Sequence, residues 1–279
     1  MIKFTFLFLL LSSNSVFASE TQIRLDNDIA TGNPIVIHVS VALADNKNQW
    51  IVPVPKAIGD GQNARTNLYW GALYGVKTFM TKKADWELIV SNKPEDDRIL
   101  ERIVLKKEFT RNDKTVPVYL VADAWDGKHI NDTINQFMQY NSGNGTFSVQ
   151  ADERTLKAGD QAHLIVYIGH NALMDYVGTN RNQFSNIKAS KDNLVNDAIV
   201  LACKSQPYFS SQLEKLGSHT LLLTTGLMAP EAYSLNAAIE NWIIGASDNQ
   251  VRKAAAKSYS KYQKNSLKAS ERLFGAKHQ

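Results

Sequence analysis

Five stretches of this chain are apolar in continuous runs where a half-exposed strand would alternate, and that continuity constrains the fold most. Leu164 to Ile168 and Ala198 to Ala202 are short, uncharged and bounded by breakers. Pro34 to Leu43 and Val116 to Ala124 are longer and rich in β-branched residues, and His219 to Thr225 adds a fifth. A strand with one wet face alternates, whereas a strand covered on both faces does not. These runs therefore predict a sheet buried on both sides. Helical spacing appears between them: Leu68, Ala72, Val76 and Phe79 within 67–82, then Ile130, Ile134, Phe137 and Met138 within 128–140. Further helices are predicted over 207–216, 230–244 and the Lys- and Ala-rich 249–274. The alternation predicts an α/β fold, a mostly parallel central sheet with helices on both faces. Of the remaining pieces, Thr21 to Asn33 reads as a polar lead-in strand or loop, and Trp50 to Val54 as a short extended piece. Trp86 to Val90 reads as a strand and 103–110 as an edge strand or hairpin arm, while Phe147 to Lys157 fits no single pattern.

The amino terminus reads as an export signal. Lys3 supplies the positive start, and Phe4 to Leu11 is apolar but far short of the ~20 residues a bilayer span needs. Val16-Phe17-Ala18 places small residues where a signal peptidase reads, so cleavage is expected after Ala18. No Cys stands at that junction to carry a lipid, and no later stretch is apolar enough to anchor the chain. The expectation is a periplasmic or secreted protein without a membrane anchor. Removing eighteen residues from 279 leaves 261, enough for one domain over 19–279 with a helical segment at about 248–275. The net charge of +4 falls to +3 with loss of Lys3. That is too mild, and too evenly spread, for a nucleic-acid partner.

Cys203 is the single cysteine. No intramolecular disulfide can form, and a lone thiol in an oxidising compartment is either buried or used. No HExxH and no paired Cys suggests a metal, and no metal or organic cofactor is expected. Gly71 to Thr78 superficially matches a phosphate loop, but Val76, not Lys, follows its second glycine. There is no GxSxG elbow for a serine hydrolase.

His170 and Cys203 each follow an apolar run directly. In open α/β sheets, reactive groups gather at the carboxyl ends of strands, where a His and a Cys can meet as base and nucleophile. Chain order discriminates further: here the His precedes the Cys by thirty-three residues, the reverse of the papain order. Ile-Val-Tyr-Ile-Gly-His170 and Ile-Val-Leu-Ala-Cys203 resemble the two motifs of the caspase-like cysteine peptidases, which include caspases, legumains, gingipains, clostripain and separase. Leu-Leu-Leu-Thr-Thr-Gly226, followed by Pro-Glu, resembles the next strand–helix unit of that fold. The likeness covers roughly residues 34 to 245.

The resemblance implies a caspase-like sandwich acting on a peptide or protein substrate. His170 would be the base and Cys203 the nucleophile, with the backbone N–H groups of Asn171 and Cys203 holding the oxyanion. Some relatives use calcium structurally. The family carries Gly after the His, whereas Asn171 stands here. Its side chain is expected to narrow the site or impose another turn. Substrate contacts in the family come partly from an early loop, where Asp60 and Arg65 lie, and Asp175 is a third candidate by charge. Three other readings stay open: a catalytically inactive caspase-like domain that binds a partner, a transpeptidase, and an unrelated exported α/β protein with a buried Cys.

Overall fold

A computed structural model describes residues 19–175 and 186–275, so the expected leader lies outside the described residues. The chain opens with helix α1 (Glu20–Thr31), strand β1 (Ile35–Ala42) and helix α2 (Val76–Lys83). Strands β2 (Glu87–Asn92), β3 (Ile99–Arg111) and β4 (Lys114–Trp125) follow, then α3 (Ile130–Asn141) and the hairpin β5 (Phe147–Ala151)–β6 (Arg154–Ala158). The second half holds β7 (Leu164–Ile168), β8 (Asp197–Leu201), α4 (Gln206–Lys215), β9 (His219–Leu222), α5 (Ala232–Ile243), α6 (Asp248–Gln263) and α7 (Leu267–Leu273).

Seven of these strands form one sheet in the order β2-β3-β4-β1-β7-β8-β9. The run from β4 to β9 is parallel, and β2 and β3 add an antiparallel edge. β3 and β4 join through Asn112 and Asp113, both at positive φ (50° and 61°), the backbone that a two-residue hairpin turn requires. β1 shows why the apolar runs are continuous. Ile35, Ile37, Val39 and Val41 enter one core with residues of α1, α2, α5 and α6, while Val36 and Ala42 enter a second core with α3 and α4. Helices thus cover both faces, and the mostly parallel α/β expectation holds.

Four segments differ from expectation. Residues 20–31 are helical, not a strand or loop. Ser19 caps the helix through Gln22 N–H at 3.2 Å, and Gly32 ends it at φ 76°. Only Thr21 and Leu25 are buried, a stripe too thin to register as a period. Polar side chains seat this helix instead. Arg24 donates to the carbonyls of Gln161, Ala162 and Val195, and Asp28 takes a 2.9 Å bond with His163 Nε2, so α1 grips the entries of β7 and β8. The helix expected over 67–82 covers only Val76–Lys83. Asn67 is held by both backbone groups of Ala44, at 2.8 and 3.1 Å, which keeps 67–75 in irregular turns. The extended piece at Trp50–Val54 is an exposed loop that pairs with no strand. The carboxyl-terminal helical segment breaks at Lys264, which is left-handed at φ 54°.

Two buried or half-buried charge clusters brace the sheet. One joins His38, Asp123 and Arg102. The other lies at the opposite end from the β7 and β8 carboxyl termini: His219 Nδ1 is 2.7 Å from Asp197 and Nε2 is 3.0 Å from Asp248. Those two hydrogen bonds raise the imidazole from 6.5 to about 10. A group whose folded pKa is raised contributes stability in full below its unfolded value and loses it as pH climbs through the folded one. The melting temperature is therefore expected to fall between pH 7 and 10 in the native chain, and to fall less over that range in His219→Gln. Equal slopes in the two proteins would contradict the assignment.

Candidate active site

β7 and β8 are parallel neighbours with Ile168 opposite Leu201, and Gly169 N–H donates to Leu201 C=O at 3.2 Å. His170 and Cys203 each stand two residues beyond that pair. They leave the carboxyl ends of adjacent strands, whose spacing is about 4.8 Å. Register therefore sets the two residues that the sequence singled out on the same edge of the sheet, one strand apart.

The turn after β7 aims His170. Tyr167 hydroxyl donates to the His170 carbonyl at 2.7 Å. Gly169 is dictated by space: a Cβ there would lie 2.9 Å from Ala42 Cβ and 3.0 Å from both Ala42 O and Tyr167 Oη. Gly169→Ala is accordingly expected to displace the His170 turn and to lower any turnover by about 10²-fold, since an ångström of misplacement costs that much. The measurement is initial rate beside thermal unfolding, and an unchanged rate would contradict the geometry.

Asn171 neither narrows the site nor needs glycine's freedom. Its φ is −88°, and its side chain is fully buried. Oδ1 accepts from Leu173 N–H at 3.2 Å and so caps a single 3-10 turn, Ala172–Met174. Nδ2 donates to Cys203 C=O at 2.8 Å, which staples the His turn to the Cys turn. The short turn folds Asp175 back onto His170: Nε2 lies 3.0 and 2.8 Å from its two carboxylate oxygens. The two side chains are only 10 % and 14 % exposed. Asp175, expected among the substrate-binding charges, is thus committed to the imidazole. With Nε2–H donated to Asp175, Nδ1 is the ring nitrogen left to exchange a proton.

Cys203 is half-buried on a tight turn. Its Sγ is 3.4 Å from both the N–H and the C=O of Met228. Lys204 follows in a left-handed conformation at φ 47°, its N–H donating to Gly226 C=O at 2.8 Å. Ser205 and Thr224 then lock the turn to the exit of β9: Ser205 Oγ donates to Val200 C=O at 3.0 Å and accepts from Thr224 N–H at 2.8 Å. A non-glycine residue held left-handed is a strained, over-determined position. Among the described residues, neither the Asn171 nor the Cys203 backbone N–H has an acceptor. The Tyr69 phenol, pushed up by burial and by the nearby Cys203 and Glu231, stays protonated in this neighbourhood.

Asp60 and Arg65 are exposed in the long loop after β1, which leaves the same sheet edge. Asp60 Oδ1 accepts from Gln62 N–H at 3.0 Å, a turn-forming bond. No described contact joins either residue to His170 or Cys203. Among the described residues no cluster of His, Cys, Asp or Glu is placed to hold a metal ion. Residues 176–185, part of the excursion after His170, lie outside the described residues.

Asp175 was expected in another role, and Met228 was not expected at all. Asp175 had a signal, an acid five residues after the His across a turn-forming Asn, but the one-turn helix that closes the distance has no period to detect. Met228 had none, since it acts through its backbone from twenty-five residues away. No protein-family model and no curated protein matches this chain.

Proposed function

We propose that this chain is an exported cysteine hydrolase of caspase-like architecture, a peptidase working through His170 and Cys203. What supports the reading is one arrangement: a His and a Cys on the carboxyl ends of adjacent parallel strands, with Asp175 fixing the far nitrogen of the His. His170 Nδ1 takes the Cys203 proton. The sulfur attacks the substrate carbonyl, and the Asn171 and Cys203 N–H groups receive the charge on its oxygen. The C–N bond then breaks, the amine leaving with the proton from His170, and a thioester remains on Cys203. Water, deprotonated by the same imidazole, releases the acid and restores the thiol. Asp175 holds the tautomer and stabilises the imidazolium, as the third member of such groups does. Asp60 and Arg65 stay candidates for contacts farther along the substrate. Export rests on Lys3, Phe4 to Leu11 and the Ala18 junction.

Asp175→Asn is expected to lower turnover roughly 10²- to 10⁴-fold with the fold retained, because an amide holds the wrong tautomer. A direct test of the reading is incubation with a peptidyl acyloxymethyl ketone library randomised at the residue before the cleaved bond. A single adduct on Cys203 by intact mass is expected, and its absence across the library, together with no peptide cleavage, would contradict the proposal.

One observation favours a second reading. The Cys203 thiol is already satisfied by Met228, donating to its carbonyl and accepting from its N–H. A caspase-like domain that binds a peptide without cleaving it would keep that arrangement, and would give no adduct.

A further inference from the structure

The loop after β1 projects an apolar finger, Trp50-Ile51-Val52-Pro53-Val54-Pro55, and we propose that it inserts into the surface of an anionic lipid bilayer. Trp50 and Val52 are each 84 % exposed, whereas the other four tryptophans are at most 2 % exposed. The exposure does not come from a loose loop. Asn46 clamps the finger's base with its amide: Nδ2 donates to Val54 C=O at 2.8 Å and Oδ1 accepts from Val54 N–H at 3.0 Å. Gln49, buried, donates to the carbonyls of Leu43 and Gly127, each at 2.8 Å. Trp50, Val52, Pro53 and Pro55 are thus held out into solvent by a built support, while Ile51 packs back against the core.

The chemistry of the finger selects its occupant. An apolar medium penalises every unpaired backbone donor. Over residues 53–55 no donor is left unpaired, since Pro53 and Pro55 have no N–H and Val54 has both its groups paired to Asn46. A docked peptide strand would ask for the reverse, a row of free donors and acceptors. Lys47 and Lys56 flank the base, both exposed, and neither ammonium has an ion pair among the described residues. An amphipathic Trp with lysines at its base suits the headgroup–acyl boundary of an anionic leaflet. No described helix is long and apolar enough to cross a membrane, so this contact is peripheral. β1 runs parallel to β7, so the finger leaves the same sheet edge as His170, and docking turns that edge toward the bilayer. The inference does not require His170 or Cys203 to be reactive.

Trp50 reports on its own docking, because the other tryptophans are buried. Chain beginning at Ser19 is mixed with phosphatidylglycerol–phosphatidylethanolamine vesicles. The emission is expected to shift to the blue and to be quenched by brominated acyl chains, and both responses should vanish in Trp50→Phe. Lys47→Gln and Lys56→Gln should each weaken partitioning roughly fivefold, and added salt should weaken it further. No shift with anionic vesicles would overturn the proposal, as would equal binding to pure phosphatidylcholine. A blue shift that grows with protein concentration in the absence of lipid would also overturn it, making the occupant a second copy of this chain.

Discussion

Cys203→Ala is expected to abolish peptide hydrolysis, lowering kcat/KM by at least about 10⁴-fold, while the melting temperature stays within a few degrees. The sulfur's described hydrogen bonds run only to the Met228 backbone, at 3.4 Å, so its loss costs little packing. The hydroxyl nearest in sequence is not placed to take over. Ser205, two residues on, is fully buried, and its Oγ is committed to Val200 C=O and Thr224. Cys203→Ser should be almost as inactive, because a hydroxyl is far harder to deprotonate than a thiol. The check is initial rate on a cleaved peptide alongside thermal unfolding of all three proteins. A variant that keeps a tenth of the activity would mean that the thiol is not the nucleophile.

Asp123→Ala is expected to destabilise the fold by about 3–5 kcal/mol, the usual result of removing one member of a buried charge cluster. Asp123 is fully buried on β4. Arg102 grips it with Nε at 2.6 Å and Nη2 at 2.8 Å, and His38 Nε2 lies 3.2 Å away. Burial by itself would raise this carboxyl, yet the bonds from Arg102 and His38 outweigh it and hold the group below the ordinary carboxylate range. The alanine variant strands both partners in a dry setting, with the Arg102 guanidinium left over the Phe147 ring at 4.0 Å. Asp123→Asn keeps the shape and some hydrogen bonding, so its loss should be smaller. Urea unfolding of the three proteins reads the difference, and an alanine variant within 1 kcal/mol of the native chain would show that the cluster relaxes freely.

The central sheet was legible because burial on both faces writes itself as continuous apolar sequence, and β1, β4, β7 and β8 carry it plainly. The placement of His170 and Cys203 at the sheet's carboxyl edge was legible for a related reason, since each stands just past such a run. The parts that were not legible depend on polar and long-range contacts. Helix α1 is held by Arg24 and Asp28 reaching strand entries more than a hundred residues away, so its own apolar stripe can be thin. Segment 67–75 has helical spacing, but Asn67 spends its amide on Ala44 and denies the helix its start. The β5–β6 hairpin turns at Asp152, a non-glycine residue at φ 53°, which turn composition does not announce. At the site, Asn171 reads as a departure from a glycine, and only its 2.8 Å bond to Cys203 C=O reveals a staple between the two turns.

The most direct test of the His170–Cys203 partnership is the rate of iodoacetamide alkylation at pH 6, where an unassisted thiol is almost wholly protonated and scarcely reacts. Native Cys203 is expected to be labelled readily at this pH, and His170→Ala to slow the reaction at least tenfold without unfolding the chain. Slow labelling at the same rate in both proteins, or no labelling until denaturant is added, would contradict the partnership.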